Sequence, residues 1–515
     1  KSREVSTDNS HYAPGWWRIS SPTNEIRMKP LFFYLLGCSV FLCTCGRAQT
    51  PPTLAIEPYT FQASDGRSTE AELGSFTVPQ NRAKPNGKQL TLRFVRFKST
   101  NPTPGHPIVY LAGGPGGSGI NAAKYARYDL FQALRSVADV IAYDQRGTGK
   151  SDGPPAYPGV WAFDPGTPMT EAAVRPIIQQ ATQEAAAFFR EQGSDLSAYN
   201  SNASADDLND LRQALGAEKL NLWSISYGSH LALTTLKRHE QHLDRIILAG
   251  VEGYDHTVKL PADQQALLET IDAQLKANPT TASIYPDFLG DMKRLLDKVS
   301  TSPAIIKGKH PMTGDEVPVA IGRLEMQLLI SWSLGGPESF RELPLMVQQM
   351  LNGNYSGVSN YAFYTKAGRF QGMSLGMDLA SGISKERRAR LKAQKTTTLL
   401  GDAINFPYLH QYDALPELDA GADFRAPYPS KIPVLCISGT LDGRTPPGNA
   451  KETLKHLPNG RHLIVEGAGH SDPLFLSSPR ILEIMEAFLK GKKIDNEKIT
   501  LPPVEWVLPK EAGKR

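Results

Sequence analysis

Apolar runs and helical periodicities alternate along most of the chain. Strand patterns occur within residues 87–99, 107–119, 140–152, 219–226, 244–253, 432–439 and 461–467. Helical patterns occur within residues 120–137, 171–193, 203–216, 229–239, 262–277, 323–333, 338–352, 384–395 and 478–490. We expect Asn202 or Ser204 to cap the helix that ends at Gly216. Strands that alternate with helices predict an α/β fold, in which helices flank both faces of a mostly parallel central sheet.

Helical patterns dominate the middle of the chain, where few strand signals occur. This middle stretch predicts a mainly helical cap that is inserted into the sheet domain and lies over it. The chain therefore divides into an upstream extension (1–27), a signal peptide (28–48), a first core segment (49–254), the cap (255–425), a second core segment (426–492) and a C-terminal tail (493–515).

The segment 28–48 is typical of a secretory signal. A Met-Lys-Pro start at 28–30 precedes an apolar run at 31–43, and the small residues Gly46 and Ala48 follow. The run is short for a membrane span, so we expect cleavage after Ala48 and a secreted or periplasmic product without a membrane span. A lipoprotein is the alternative, with one of three cysteines lipidated: Cys38, Cys43 or Cys45.

Composition narrows the class of protein and of partner. The 515 residues are 40% hydrophobic and 21% charged, with a formal net charge of +4, as in soluble globular proteins. No basic stripe points to nucleic acid, and no cluster of His, Cys, Asp and Glu points to a metal or another cofactor. Cys436 is the single cysteine after the signal and is expected inside a buried strand. Oligomeric state is not indicated.

The stretch NLWSISYGSHLAL (221–233) joins a predicted strand to a predicted helix and contains three serines. A nucleophile at such a sharp turn needs small residues two positions before and two positions after it. Ser226 meets this requirement, with Ser224 before it and Gly228 after it. Centring the turn on Ser224 or Ser229 would place bulky residues at these positions. Ser226 is therefore the candidate nucleophile.

A serine nucleophile needs a base, and the base needs a carboxylate to orient it. Asp442 follows the predicted strand 432–439, and His470 follows the predicted strand 461–467. The order serine, acid, histidine is that of nucleophile-elbow hydrolases, and loops at the carboxyl ends of parallel strands meet at one edge of the sheet. Asp472 is the rival acid, but it shares a loop with His470 and lies too close to it in sequence, so it is interpreted as a surface residue or as one that supports the site without taking part in the chemistry.

The loop AGGPGGSG (112–119) offers unhindered backbone N–H groups after a strand. Gly113 or Gly114, with the N–H of Tyr227, could form an oxyanion hole for acyl transfer. A phosphate-binding loop is the alternative, but 112–119 lacks the Gly-Lys-Ser/Thr ending. The stretch 147–151 has that ending but carries Asp144 where the first glycine of the motif belongs.

Five motifs together resemble the α/β-hydrolases of the prolyl iminopeptidase and tripeptidyl aminopeptidase branch. They are GGPGGSG (113–119), DQRGTGKSD (144–152), SISYGS (224–229), GTLDGRTPP (439–447) and GAGH (467–470). The resemblance covers about 105–255 and 430–490 well. Ala112 stands where prolyl iminopeptidases usually carry His, and Ser224 replaces the glycine of the turn. Both departures argue against strict proline specificity.

The resemblance implies an aminopeptidase with Ser226 as nucleophile, His470 as base and Asp442 as its orienting acid. It also implies that Asp144 and Arg146 support the site structurally and that carboxylates bind the free amine of the substrate. The candidates for this role are Glu252, Glu338 and Glu342. Two other readings stay open: an esterase or amidase that acts on a non-peptide substrate with the same residues, and a non-catalytic binding protein.

Overall fold

A ten-stranded sheet forms the centre of the computed structural model, which describes residues 52–310 and 314–509. The strands are β1 (Ala55–Gln62), β2 (Ser68–Pro79), β3 (Gln89–Phe97), β4 (Ile108–Leu111), β5 (Val140–Asp144), β6 (Val160–Ala162), β7 (Leu220–Ser226), β8 (Leu243–Val251), β9 (Ala304–Lys309), β10 (Glu316–Ile321), β11 (Ala367–Arg369), β12 (Val434–Gly439), β13 (Gly460–Glu466) and β14 (Glu497–Thr500). The central sheet has the order β1-β2-β3-β5-β4-β7-β8-β12-β13-β14. The first three strands pair antiparallel, and the pairs from β5 to β14 are parallel.

Helices cover both faces of this sheet, as the alternating pattern predicts. They are α1 (Gly119–Ala122), α2 (Tyr128–Ala133), α3 (Glu171–Glu191), α4 (Ser201–Ala214), α5 (Tyr227–His239), α6 (Pro261–Ala277), α7 (Pro279–Ile284), α8 (Phe288–Thr301), α9 (Arg323–Ser333), α10 (Pro337–Phe340), α11 (Leu343–Leu351), α12 (Ser359–Ala362), α13 (Gly372–Ser381), α14 (Lys385–Lys395), α15 (Tyr408–Ala414), α16 (Ala422–Arg425), α17 (Pro447–Leu454), α18 (Pro473–Leu476) and α19 (Pro479–Leu489). The helix α4 is capped by Asn200, so the predicted caps Asn202 and Ser204 are wrong; they lie inside its first turn.

The core is built by alternation along each parallel strand. In β4, Ile108 and Tyr110 pack into the apolar layer on one face, and Val109 and Leu111 pack into the layer on the other. All four are fully buried, which explains why the strand reads as a continuous apolar run. Cys436 lies buried in β12, as predicted, and burial raises the pKa of its thiol to about 12.

The predicted cap is mainly helical and has its own apolar cluster, which includes α8, α9 and α11. A second cluster joins α3 to α13, so the helical layer also draws on residues before 255. Two short two-stranded sheets, β9 with β10 and β6 with β11, lie in these segments, where the sequence shows little strand character. Their strands are three to six residues long, which is too short for a clear alternating pattern.

The segment 493–515 is predicted as a tail, but the structure folds most of it onto the protein. Strand β14 extends the sheet by pairing parallel to β13. After it, Trp506 stacks on Phe340 of the cap, with ring centroids 5.9 Å apart. Charged residues in and around β14 leave no apolar run in the sequence, as is common in edge strands. This is why the segment was predicted as a tail and not as a strand.

The predictions for 1–27 and for the signal segment 28–48 fall outside the described residues. In the part that the structure describes, no helix is both long enough and apolar enough to cross a membrane.

Candidate active site

Ser226 occupies a strained turn between β7 and α5. Its backbone has φ 55° and ψ −129°, a conformation that residues other than glycine adopt rarely and at a cost of about 1–3 kcal/mol. The next turn of chain leaves no space for a side chain, since a Cβ on Gly228 would lie 2.2 Å from the Leu111 carbonyl oxygen. The small residue predicted after the serine is therefore required by contact with β4.

The other two serines of the turn have structural partners. Ser224 Oγ is buried and donates to the Ile247 carbonyl at 2.8 Å. Ser229 Oγ donates to the Ser226 carbonyl at 2.6 Å and accepts from the Glu252 N–H at 2.8 Å. These contacts distinguish Ser226, whose hydroxyl forms no hydrogen bond to any residue within 52–310 or 314–509.

Asp442 and His470, which are 28 positions apart in sequence, form a hydrogen-bonded pair. Asp442 Oδ2 lies 2.8 Å from His470 Nδ1, and the carboxylate also accepts from the Thr445 hydroxyl at 2.7 Å and the Thr445 N–H at 2.8 Å. Burial would raise the pKa of Asp442, but the charge of His470 and hydrogen bonds from His470 and Thr445 outweigh it, so the pKa is lowered. An ionised carboxylate is thus held against one ring nitrogen.

Strand pairing connects this pair to the strand that carries Ser226. Ser226 is in register with Val251 of the adjacent strand β8. The residue before Val251 is Gly250, and a Cβ there would lie 3.0 Å from His470 Cε1 and 2.9 Å from Thr445 Oγ1. The imidazole ring therefore rests on β8, beside the strand end that carries Ser226.

A cap turn contacts both loops that carry this pair. The His470 N–H donates to the Gly335 carbonyl at 2.8 Å, and the Gly443 N–H donates to the Leu334 carbonyl at 3.1 Å. A Cβ on Gly469 would lie 2.3 Å from Gly336 Cα, so glycine permits this close approach. The cap turn therefore helps the core to fix the position of the loop that carries His470.

The glycine loop lies against Ser226. A Cβ on Gly113 would lie 2.9 Å from Ser226 Cβ and 3.6 Å from Ser226 Oγ. Gly114 has φ 126°, in the region that favours glycine, and Tyr227 is the first residue of α5, where N–H groups lack intrahelical partners. These three backbone groups, predicted as oxyanion donors, therefore lie on the elements that surround the serine.

Asp144 and Arg146 support the site through buried contacts. Asp144 accepts from the Ser118 hydroxyl at 2.6 Å and the Ile120 N–H at 3.1 Å, which anchors the end of the glycine loop. Arg146 is fully buried and binds both oxygens of Asp207, each at 2.7 Å. Both residues are structural, in agreement with the resemblance.

The three predicted amine-binding carboxylates lie in different surroundings. Glu252 is buried just after β8 and already pairs with Lys259, while Thr257 donates to it at 3.2 Å. Glu338 is exposed, in a surface groove lined by Arg341 and residues 501–505. Glu342 is half-buried at the start of α11. Glu252 is linked to the serine turn through Ser229.

Asp378 is an acidic residue near this turn that sequence reasoning missed. It lies half-buried on α13, whose Ser374 donates to the Pro115 carbonyl of the glycine loop at 2.9 Å. Burial and the negative charge of Glu252 raise the pKa of Asp378 to about 8. Its carboxyl group has no hydrogen-bond or ion-pair partner among the described residues. The spacing of Ser374 and Asp378 on one helix face is a weak signal, which only the packing of α13 makes visible.

A cavity of about 750 Å³ lies between core and cap, away from these residues. Its walls include Gly253, Tyr412 and Arg425, but none of Ser226, Asp442 and His470. The serine turn, and not this cavity, brings the reactive groups together.

Two family models match this chain. Residues 106–291 match the model described as alpha/beta hydrolase fold, and residues 414–500 match the model described as TAP-like protein. The ten-stranded sheet with its order β5-β4-β7-β8 and the strand-turn-helix at Ser226 agree with the first description. The chain has the α/β-hydrolase fold, as the sequence predicts.

Relatives of known name support the predicted branch. Tripeptidyl aminopeptidase of Streptomyces coelicolor is 30% identical over 189 residues, which cover 35% of either chain. Serine protease Hip1 of Mycobacterium bovis is 27% identical over 255 residues, 45% of this chain and 48% of the relative. These matches span less than half the length of each relative. A solved proline iminopeptidase-related protein of Thermus thermophilus aligns at 18% identity and a TM-score of 0.37, covering 82% of this chain and 97% of that chain. The match to the TAP-like model and the two peptidase relatives confirm the resemblance to this branch.

Proposed function

We propose that this chain is a secreted serine hydrolase that releases N-terminal residues or short peptides through an acyl-enzyme. One observation carries the proposal: the strained Ser226 lies against the glycine loop, and the neighbouring strand β8 packs against His470, which is paired with Asp442. The similarity to a tripeptidyl aminopeptidase and to a serine protease supports a peptide substrate. The pattern at 28–48 supports secretion, which N-terminal sequencing of the exported chain would test by showing Gln49 as the first residue.

In this mechanism Ser226 Oγ attacks the carbonyl carbon of the scissile bond. His470 takes the hydroxyl proton through Nε2, the ring nitrogen that does not face Asp442. The N–H groups of Tyr227 and of Gly113 or Gly114 stabilise the oxyanion. His470 then gives the proton to the leaving amine, and the C–N bond breaks. Water, deprotonated by the same imidazole, hydrolyses the ester and restores Ser226.

The free amine of the substrate would bind at the acidic pair Glu252 and Asp378. Glu252 is already neutralised by Lys259, whereas the Asp378 carboxyl lacks a partner in the described part of the chain. An ammonium group that enters this site would favour the ionised form of Asp378 and gain an ion pair shielded from water. Glu338, which is exposed, has no comparable surroundings.

Labelling with a serine-directed fluorophosphonate tests the nucleophile. The native chain should be labelled once, and Ser226→Ala should not be labelled. Ser224→Ala is the matched control, because it removes a hydroxyl two residues away that only bonds the Ile247 carbonyl. Equal labelling of all three proteins would reject Ser226 as the nucleophile, and a native chain that is not labelled at all would favour the non-catalytic reading.

A substrate panel tests the peptidase assignment. We would assay proline, alanine and Ala-Ala-Pro anilides with free amines, their N-acetylated forms and a short-chain nitrophenyl ester. Hydrolysis of the free-amine anilides, lost on acetylation and in Ser226→Ala, is the expected result, and the preferred length gives the number of residues released. Turnover of the ester alone would favour the esterase alternative, which the pairing of Glu252 with Lys259 also supports.

Asp378→Asn tests the amine site. The variant should raise the KM of free-amine anilides and leave the KM of the nitrophenyl ester unchanged. Glu338→Gln, which alters an exposed acid, is the control. An unchanged KM for amine substrates in Asp378→Asn would remove Asp378 from the site.

A further inference from the structure

Arg127 connects two loops of the proposed active site. It precedes α2, and its side chain is nine-tenths buried. Its Nε donates to Asp472 Oδ1 at 2.7 Å, and its Nη2 donates to Ser471 Oγ at 3.1 Å. Its Nη1 donates to the Tyr110 hydroxyl. All three nitrogens of the guanidinium group therefore donate hydrogen bonds.

Each of these partners lies within three residues of a proposed active-site residue in the chain. Ser471 and Asp472 follow His470 in the chain, and Tyr110 lies in β4, three residues before Gly113. Ser471 has φ 77°, a left-handed conformation that a residue other than glycine adopts only when its surroundings hold it. The Ser471 backbone sets the direction from which the His470 side chain leaves the loop, so the Arg127 contact bears on the position of the imidazole.

Stability alone does not explain this arrangement. A nine-tenths buried guanidinium loses hydration, and its carboxylate partner Asp472 is 46% exposed, so solvent screens the ion pair. The guanidinium also lies over the Phe475 ring, with Cζ 5.2 Å from the centroid. The ring contact and the three hydrogen-bonding nitrogens together define one orientation, which a flexible ammonium cannot reproduce.

We propose that Arg127 is a positioning residue, which holds the His470 loop in register with the strand that carries the glycine loop. Its replacement should reduce kcat while KM changes little, because the substrate contacts stay in place and only the proton acceptor and the oxyanion donors move relative to Ser226. Displacements near 1 Å lower rates by about 100-fold, which sets the expected scale. The inference rests on the proposed serine mechanism.

Arg127→Gln and Arg67→Gln form a matched pair. Arg67 also pairs with a carboxylate, that of Asp129 in α2, and lies over the Tyr128 ring at 4.6 Å. It does not contact the His470 loop. We would measure kcat, KM, the rate constant of fluorophosphonate labelling and the unfolding midpoint of both variants. Arg127→Gln should lose roughly 10- to 100-fold in kcat and in labelling rate, and Arg67→Gln less than about twofold, as expected for an exposed ion pair.

A second variant covers the case in which Arg127→Gln does not fold. Arg127→Lys keeps the buried cation but not the fork, so it should fold, retain KM and lose kcat. A folded Arg127→Lys with native kcat overturns the inference, as does an Arg127→Gln that matches Arg67→Gln. A native chain that is not labelled at all refutes the serine mechanism itself. This result differs from a failure of the Arg127 inference, because it is seen in the native chain before any Arg127 variant is compared.

Discussion

Gly250→Ala should displace the imidazole ring of His470 and slow the reaction, although it replaces none of the reactive side chains. Gly250 lies in β8 with φ 51°, and its position faces the edge of the His470 ring. A methyl group there would lie 3.0 Å from His470 Cε1, 3.2 Å from His470 Nδ1 and 2.9 Å from Thr445 Oγ1. The substitution therefore presses on His470 and Thr445, which both form hydrogen bonds to the Asp442 carboxylate.

The expected magnitude follows from these distances. Ordinary contacts begin near 3.4 Å, so the ring must move away by 0.4 Å, the difference between 3.4 and 3.0 Å. If a 1 Å misplacement costs about 100-fold in rate, a shift of this size costs roughly sixfold, or about 1.1 kcal/mol in the barrier. The left-handed backbone adds about 1–2 kcal/mol to the cost of folding, since alanine disfavours it.

Gly216→Ala separates the two effects. Gly216 has φ 65°, and no atom lies within 4 Å of the place where its Cβ would be. Both variants should lose a similar free energy of unfolding in denaturant titrations, but only Gly250→Ala should slow fluorophosphonate labelling and anilide turnover. The reasoning fails if Gly250→Ala reacts as fast as Gly216→Ala at the same loss of stability.

Three further predictions concern buried or half-buried carboxylates. Asp442→Asn should fold normally but lose on the order of 10⁴ in kcat, as the same change does in the Ser-His-Asp proteases; near-native turnover would exclude its role. Asp378 has a raised pKa, of about 8, so the folded state binds the proton more tightly than the unfolded chain, and stability falls as pH rises from about 4 to about 8. Asp378→Asn should therefore be more stable than the native chain at pH 8 and equal to it near pH 4, and a gap that does not vary with pH would contradict this. Asp207→Ala should cost about 3–5 kcal/mol of unfolding free energy in denaturant titrations, because it leaves Arg146 buried without its carboxylate; a loss below about 1 kcal/mol would argue that Arg146 finds another partner.

Local sequence patterns predicted helices and strands well where buried side chains recur at regular intervals along the chain. Helix α9 begins and ends where the sequence predicts it, at 323 and 333, and the strand patterns from 87–99 onward overlap the central strands from β3 to β13. Strand β14 was missed, because Lys498 and Glu497 give an exposed edge strand no apolar run. The structure also brings Asp442 and His470 into contact, as the order of strand ends leads one to expect.

Contacts between distant segments account for what the sequence did not reveal. Thr445, Gly250 and the cap turn at Gly335 all touch the His470 loop or its partner, although 25 to 220 positions separate them from that histidine. Arg127 and Asp378 are equally inconspicuous in the sequence. No local period marks such residues, because their roles depend on which surfaces meet after folding.

Sequence by itself determined the alternation of strands and helices, the turn chemistry around Ser226 and the glycine loop, because hydrophobic period and backbone sterics act over a few residues. The tertiary structure alone decided that the Asp378 carboxyl has no partner among the described residues, and which contacts orient the imidazole. Burial and distance control the charge state of Asp378 and the position of His470, and both quantities arise only when the cap closes onto the sheet.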